Sequence, residues 1–153
     1  MRRMITAMVH DQAGVLSRIT SVLNRRQVNM DSVSVGRTER DGESRMTIII
    51  QADTLADVEQ VTKQLNKQID VVKVSDVTDE PHLERELALI KVSAPAATRS
   101  EIQAMIDPFR EDVVDVGLKT IVVQVAGSTE KVNACYEVLR PYGITQSART
   151  GGN

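Results

Sequence analysis

One order of elements occurs twice in this chain, and that repetition constrains the fold more than any other feature. Met4 to Val9 alternates like a strand, with Ile5, Ala7 and Val9 on one side and Met4, Thr6 and Met8 on the other. A polar turn carrying Gly14 follows. Val15, Ile19, Val22 and Leu23 then fall at helical spacing within a helix over 15–26, whose basic end, Arg25-Arg26, suits a helix C-terminus. Residues 28–37 read as a second strand, and Asp41-Gly42 is a hairpin signal before a third strand over 45–52. The run Ile48-Ile49-Ile50 predicts burial on both faces of that strand. Asp53 or Thr54 caps a second helix bearing Leu55, Val58, Val61 and Leu65, and 69–77 is a fourth strand. After a charged, proline-containing break the order returns. There is a strand over 86–93, and Thr98-Arg99-Ser100-Glu101 has capping-box form. The helix behind it carries Ile102, Met105, Ile106 and Phe109, with Pro108 predicting a kink or an early end. Strands over 113–116 and 119–126 follow. Gly127-Ser128 introduces a helix with Val132, Cys135, Val138 and Leu139 that Pro141 and Gly143 end, and the last strand covers 144–150.

Two βαββαβ orders define an α+β chain of two ferredoxin-like units in tandem. The expected boundaries are 1–78 for the first domain, 79–85 for a linker and 86–153 for the second domain. Helices cover one face of such a sheet and leave the other face and the edge strands open. A unit this small buries little core by itself, so the order predicts at least a homodimer.

The composition removes most chemistries. A formal charge of −2 leaves no electrostatic footprint for nucleic acid or an anionic membrane. RNA-binding units of this topology stack bases on aromatics of the central strands. Phe109, Tyr136 and Tyr142 are the only aromatics here, and none lies on a central strand. No apolar run approaches a membrane span, and the short run behind Met1-Arg2-Arg3 is broken by His10 and Asp11, so the expected location is cytoplasmic. Cys135 is alone and on the apolar stripe of a helix, and His10 and His82 stand in a loop and the linker. No paired His/Cys spacing suits a metal and no glycine-rich phosphate loop is present. The chain itself is expected to hold no cofactor and perform no catalysis.

Binding of a small ligand fits the run His10 to Ile19. Backbone N–H groups at a helix start receive a carboxylate, Gly14 allows close approach, and Asp11 can accept from an ammonium. Asn29 opens the second strand with an amide that both donates and accepts. Val15, Leu16, Met30, Val33 and Val35 supply an aliphatic wall. The two segments could converge within one chain or across a dimer.

Six segments in register then resemble one family. They are Arg2-Arg3-Met4-Ile5, Gly14-Val15-Leu16-Ser17-Arg18-Ile19, Asn29-Met30-Asp31-Ser32-Val33, Ser44-Arg45-Met46-Thr47-Ile48, His82-Leu83-Glu84-Arg85-Glu86-Leu87, and Phe109-Arg110 with Val113-Val114-Asp115-Val116. They resemble the small, regulatory subunit of acetolactate (acetohydroxyacid) synthase. The resemblance implies that the first unit is an ACT domain, which dimerises and binds a branched-chain amino acid, usually valine, at the interface. Asp11, Gly14, Val15 and Leu16 would form the loop side of that site, with Asn29 and Met30 from the neighbouring chain. The second unit would help contact and activate a catalytic large subunit, and that subunit would carry thiamine diphosphate, Mg²⁺ and FAD. The implied role is activation of the large subunit and feedback inhibition in branched-chain amino acid biosynthesis. The alternative is a free-standing amino-acid sensor with no synthase partner. Many relatives have Asn where this chain has Asp11. A carboxylate there would grip an ammonium and repel a ligand carboxylate placed nearer to it.

Overall fold

The structure, a computed structural model, describes residues 1–152. The chain divides into two compact units, Met1–Leu83 and Glu84–Asn153. In the first, the order is β1 (Arg2–His10), α1 (Val15–Arg25), β2 (Asn29–Arg37), β3 (Glu43–Gln51), α2 (Leu55–Asn66) and β4 (Val71–Asp76). The second repeats it with β5 (Glu86–Ser93), α3 (Arg99–Ile106), β6 (Asp112–Val116), β7 (Thr120–Gly127), α4 (Thr129–Leu139) and β8 (Ile144–Arg149). Each unit is a four-stranded antiparallel sheet, ordered β2-β3-β1-β4 in the first and β6-β7-β5-β8 in the second. These are the two ferredoxin-like units expected from the pattern.

The period-2 and period-3.6 stripes meet on one side of each sheet. In the first unit Ile5, Ala7 and Val9 of β1 join Met46, Ile48 and Ile50 of β3 against Ile19, Val22 and Leu23 of α1 and Val58, Val61 and Leu65 of α2. Ile49 points to the other face and is still only 2% exposed, so the triple-isoleucine run is buried on both sides. In the second unit Ala88, Ile90, Val92, Val123 and Val125 meet Ile102, Ile106, Val132, Cys135 and Leu139. Full burial of one such aliphatic side chain contributes about 1.5–3 kcal/mol, so these stripes dominate each unit's stability.

Local chemistry sets the helix ends. Thr54 caps α2 with a reciprocal pair: its hydroxyl accepts from the Asp57 N–H, and the Asp57 carboxylate accepts from the Thr54 N–H. Ser128 accepts from the Lys131 N–H at the start of α4. The capping box expected at Thr98 does not form. Thr98 has helical backbone angles, so its hydroxyl turns away from the first turn and donates to the Pro95 carbonyl. The Glu101 carboxylate instead accepts from the Tyr142 hydroxyl at 2.8 Å, which raises the phenol's pKa. Pro108 ends α3 early: the helix stops at Ile106 and continues as one 3₁₀ turn, Asp107–Phe109.

Candidate effector site

The loop between β1 and α1 is held from three directions. The His10 N–H donates to the Asp70 carbonyl at 2.7 Å, joining the end of β1 to the α2–β4 connection. The Asp11 N–H donates to the Gly42 carbonyl at 2.7 Å, joining the loop to the β2–β3 hairpin. The Arg18 guanidinium is ion-paired with the Asp70 carboxylate, so Asp70 holds the loop's entry through its backbone and its exit through its side chain.

Gly14 stands at the N-cap of α1 with φ +82° and ψ 0°, a left-handed conformation that costs any side-chain-bearing residue roughly 1–2 kcal/mol. No side chain caps this helix and its first turn carries no acid, unlike α2. The Val15 N–H turns back to the Gln12 carbonyl at 3.2 Å, and the next N–H groups, those of the exposed residues Leu16 and Ser17, carry the positive end of the helix dipole. The residues around it are equally open: Leu16 is 46% exposed, and Val15 is half-buried with its inner side on the core. The Asp11 carboxylate, about half exposed, lies 3.7 Å from the Arg37 guanidinium, which is largely in solvent. In a single chain this is a surface with donors and no opposite wall.

The second sequence-derived segment is elsewhere. Asn29 pairs with Gln51, which pairs with Arg2, at one end of the sheet. Arg37 pairs with Ser44, which pairs with Val9, at the other end, beside the loop. Eight residues at ~3.3 Å each place Asn29 roughly 26 Å from the Asp11 end of the strand. Convergence within one chain is thus excluded. Met30 packs on the core beside Val33, whereas Val35, further along β2, is 50% exposed. Arg18, Arg37 and Asp70, which shape the loop, were not singled out from sequence. Asp70 is 52 residues from Arg18, and no local pattern links them.

Among the described residues, no group of three His, Cys, Asp or Glu side chains is placed to hold a metal, and no helix is long and apolar enough to cross a membrane. Cys135 is buried against the core, and desolvation raises its thiol pKa to about 11, which makes it a poor nucleophile.

Two family models cover most of the chain. One, described as the AHAS small subunit-like ACT domain, matches residues 5–73; the other, described as the small subunit of acetolactate synthase, matches residues 85–152. The chain belongs to the acetolactate synthase small-subunit family. It is 52% identical to the acetolactate synthase small subunit of Bacillus subtilis (strain 168), over 99% of this chain and 88% of that one. The small subunit of Lactococcus lactis is also 52% identical, with 99% and 96% covered. The crystal structure of the Thermotoga maritima small subunit superposes with a TM-score of 0.91 at 32% identity, covering all of this chain and 95% of that one. The first unit is accordingly an ACT domain.

Proposed function

We propose that this chain is the regulatory subunit of an acetolactate synthase, which raises the activity of a catalytic large subunit and makes it sensitive to a branched-chain amino acid, valine first among them. One observation carries the reading: the two candidate half-sites lie at opposite ends of one edge strand. β2 is the edge strand of its sheet, paired with β3, and it carries the exposed Val35. Antiparallel pairing of two β2 edges about a two-fold axis near Val33 sets Asn29 of one protomer opposite Arg37 of its partner. That brings Asn29 and Met30 of one chain to Asp11, Gly14, Val15 and Leu16 of the other, completing the missing wall. Such pairing also covers a nine-residue edge that would otherwise invite aggregation.

In this arrangement the N–H groups at the start of α1 receive the ligand carboxylate. The Asn29 amide and the Asp11 carboxylate receive the ammonium, and Val15, Leu16 and Met30 surround the aliphatic side chain. A ligand spanning two protomers binds one arrangement of the dimer better than another. That differential affinity is what reaches the large subunit, with a coupling of ~1–3 kcal/mol typical of such linkage. The chain supplies no catalytic group to the synthase; thiamine diphosphate, Mg²⁺ and FAD belong to the large subunit. The family match over 85–152 favours a synthase subunit over a free-standing sensor.

Melting curves of the purified chain with valine, leucine, isoleucine and alanine, alongside sedimentation, test the reading. Valine should raise the melting point and the species that binds it should be a dimer. A monomer, or a melting point that no branched-chain amino acid moves, would contradict it.

A further inference from the structure

Arg18 occupies an awkward place. It is the fourth residue of α1, and a cation near a helix N-terminus is opposed by the dipole. Asp70 accounts for one arm of its guanidinium: Nη2 donates to the Asp70 carboxylate, whose side chain is only 13% exposed while that of Arg18 is 45% exposed. The other arm is turned back over the loop. A Cβ built on Gly14 would stand 3.0 Å from Arg18 Nη1, so this nitrogen covers the one residue in the loop that has no side chain. The result is a planar donor fork with one tine anchored to a half-buried carboxylate and the other directly above Gly14. Asp70 is itself fixed, because its carbonyl holds the His10 N–H. The fork is thus positioned before any ligand arrives, with Nη1 over Gly14 at the start of α1.

We propose that Arg18, oriented by Asp70, is the charged group that binds the effector's carboxylate over Gly14. This rests on the reading of the loop as the effector site and extends it to the group that supplies the charge. It also gives Gly14 a second reason to be glycine: a side chain there would displace the Arg18 arm as well as strain the backbone. Arginine suits the role better than lysine, because two N–H groups of one plane serve two carboxylates at once.

The test is calorimetric titration of the full chain with valine and with valinamide, which keeps the ammonium and the side chain but lacks the carboxylate. The wild-type chain should prefer valine by at least roughly ten-fold. Arg18→Gln should weaken valine binding by a similar factor and leave valinamide nearly unchanged, so that the preference collapses. Arg18→Lys keeps a cation for Asp70 and protects the fold, and should retain only part of the preference. Melting curves establish that each variant is folded; if Arg18→Gln is not, Arg18→Lys decides. A folded variant that keeps the wild-type valine-to-valinamide ratio overturns the role of Arg18 while leaving the site in place. A wild-type chain that binds neither compound overturns the site and this inference together.

Discussion

Gly14→Asp separates the proposed effector site from the rest of the molecule. The backbone there is left-handed, which Asp and Asn tolerate better than other side chains, so the folding cost is about 1 kcal/mol. For a unit of this size that lowers the melting point by about 4–8 °C. The effect on binding is larger. The new Cβ would begin 3.0 Å from Arg18 Nη1, so the added carboxylate reaches the guanidinium and takes the place intended for the ligand. A ligand carboxylate that still entered would meet a like charge at about 4 Å, a repulsion of about 4 kcal/mol at an effective dielectric constant of 20. The loop is exposed, and screening leaves about half of that, equivalent to roughly 30-fold in Kd. Gly14→Asn adds the same bulk without the charge and should fall between the two. Calorimetry on the purified chain reads the affinity, and acetolactate formation with the large subunit reads the output: activation should survive while valine inhibition is lost. If Gly14→Asp gives the wild-type valine titration, the loop is not the effector site.

Thr54→Ala removes the hydroxyl that accepts from the Asp57 N–H while leaving the backbone half of the α2 capping box, and should lower stability by about 1 kcal/mol in urea, with valine affinity unchanged. Asp76→Asn probes the tie between β1 and β4. Burial opposes ionisation of Asp76, but hydrogen bonds from Thr78 and from Arg3 outweigh it and hold the carboxyl below its ordinary pKa. Its contribution is complete above about pH 4 and disappears as pH falls through the lowered value. The stability gap between wild type and Asp76→Asn should therefore be constant near neutrality and narrow in acid; a gap that does not shrink as pH falls below about 4 would contradict this. Cys135, fully buried with its thiol pushed up to about 11, should resist a thiol reagent at pH 8 over a period in which the unfolded chain reacts completely.

Much of the fold was legible because burial follows period. Val15, Ile19, Val22 and Leu23 describe α1 whatever lies around it, and Ile5, Ala7 and Val9 describe the inner face of β1. Element ends were less legible where a side chain has a choice of partner. Thr98 and Glu101 match a capping box in spacing, yet the hydroxyl turns to Pro95 and the carboxylate to Tyr142, 41 residues away. Of the candidate site, Gly14 stood out in the sequence as a place where a ligand can approach the backbone, and its positive φ emerged only with the structure. The relation of Asn29 to that loop was not legible, because it depends on the register of β2 on β3 and of β3 on β1. Arg18 and Asp70 were invisible for the same reason: a salt bridge across 52 residues is a property of the assembled sheet and helices.

The central claim is that this chain acts by regulating a catalytic partner in response to a small amino acid. Purified chain should be titrated into a cognate acetolactate synthase large subunit while acetolactate formation is followed, with and without valine. The account predicts a saturable rise in rate that valine reverses in the wild-type mixture and fails to reverse with Gly14→Asp. A rate that the chain leaves unchanged, or a rise that valine never touches, would contradict it.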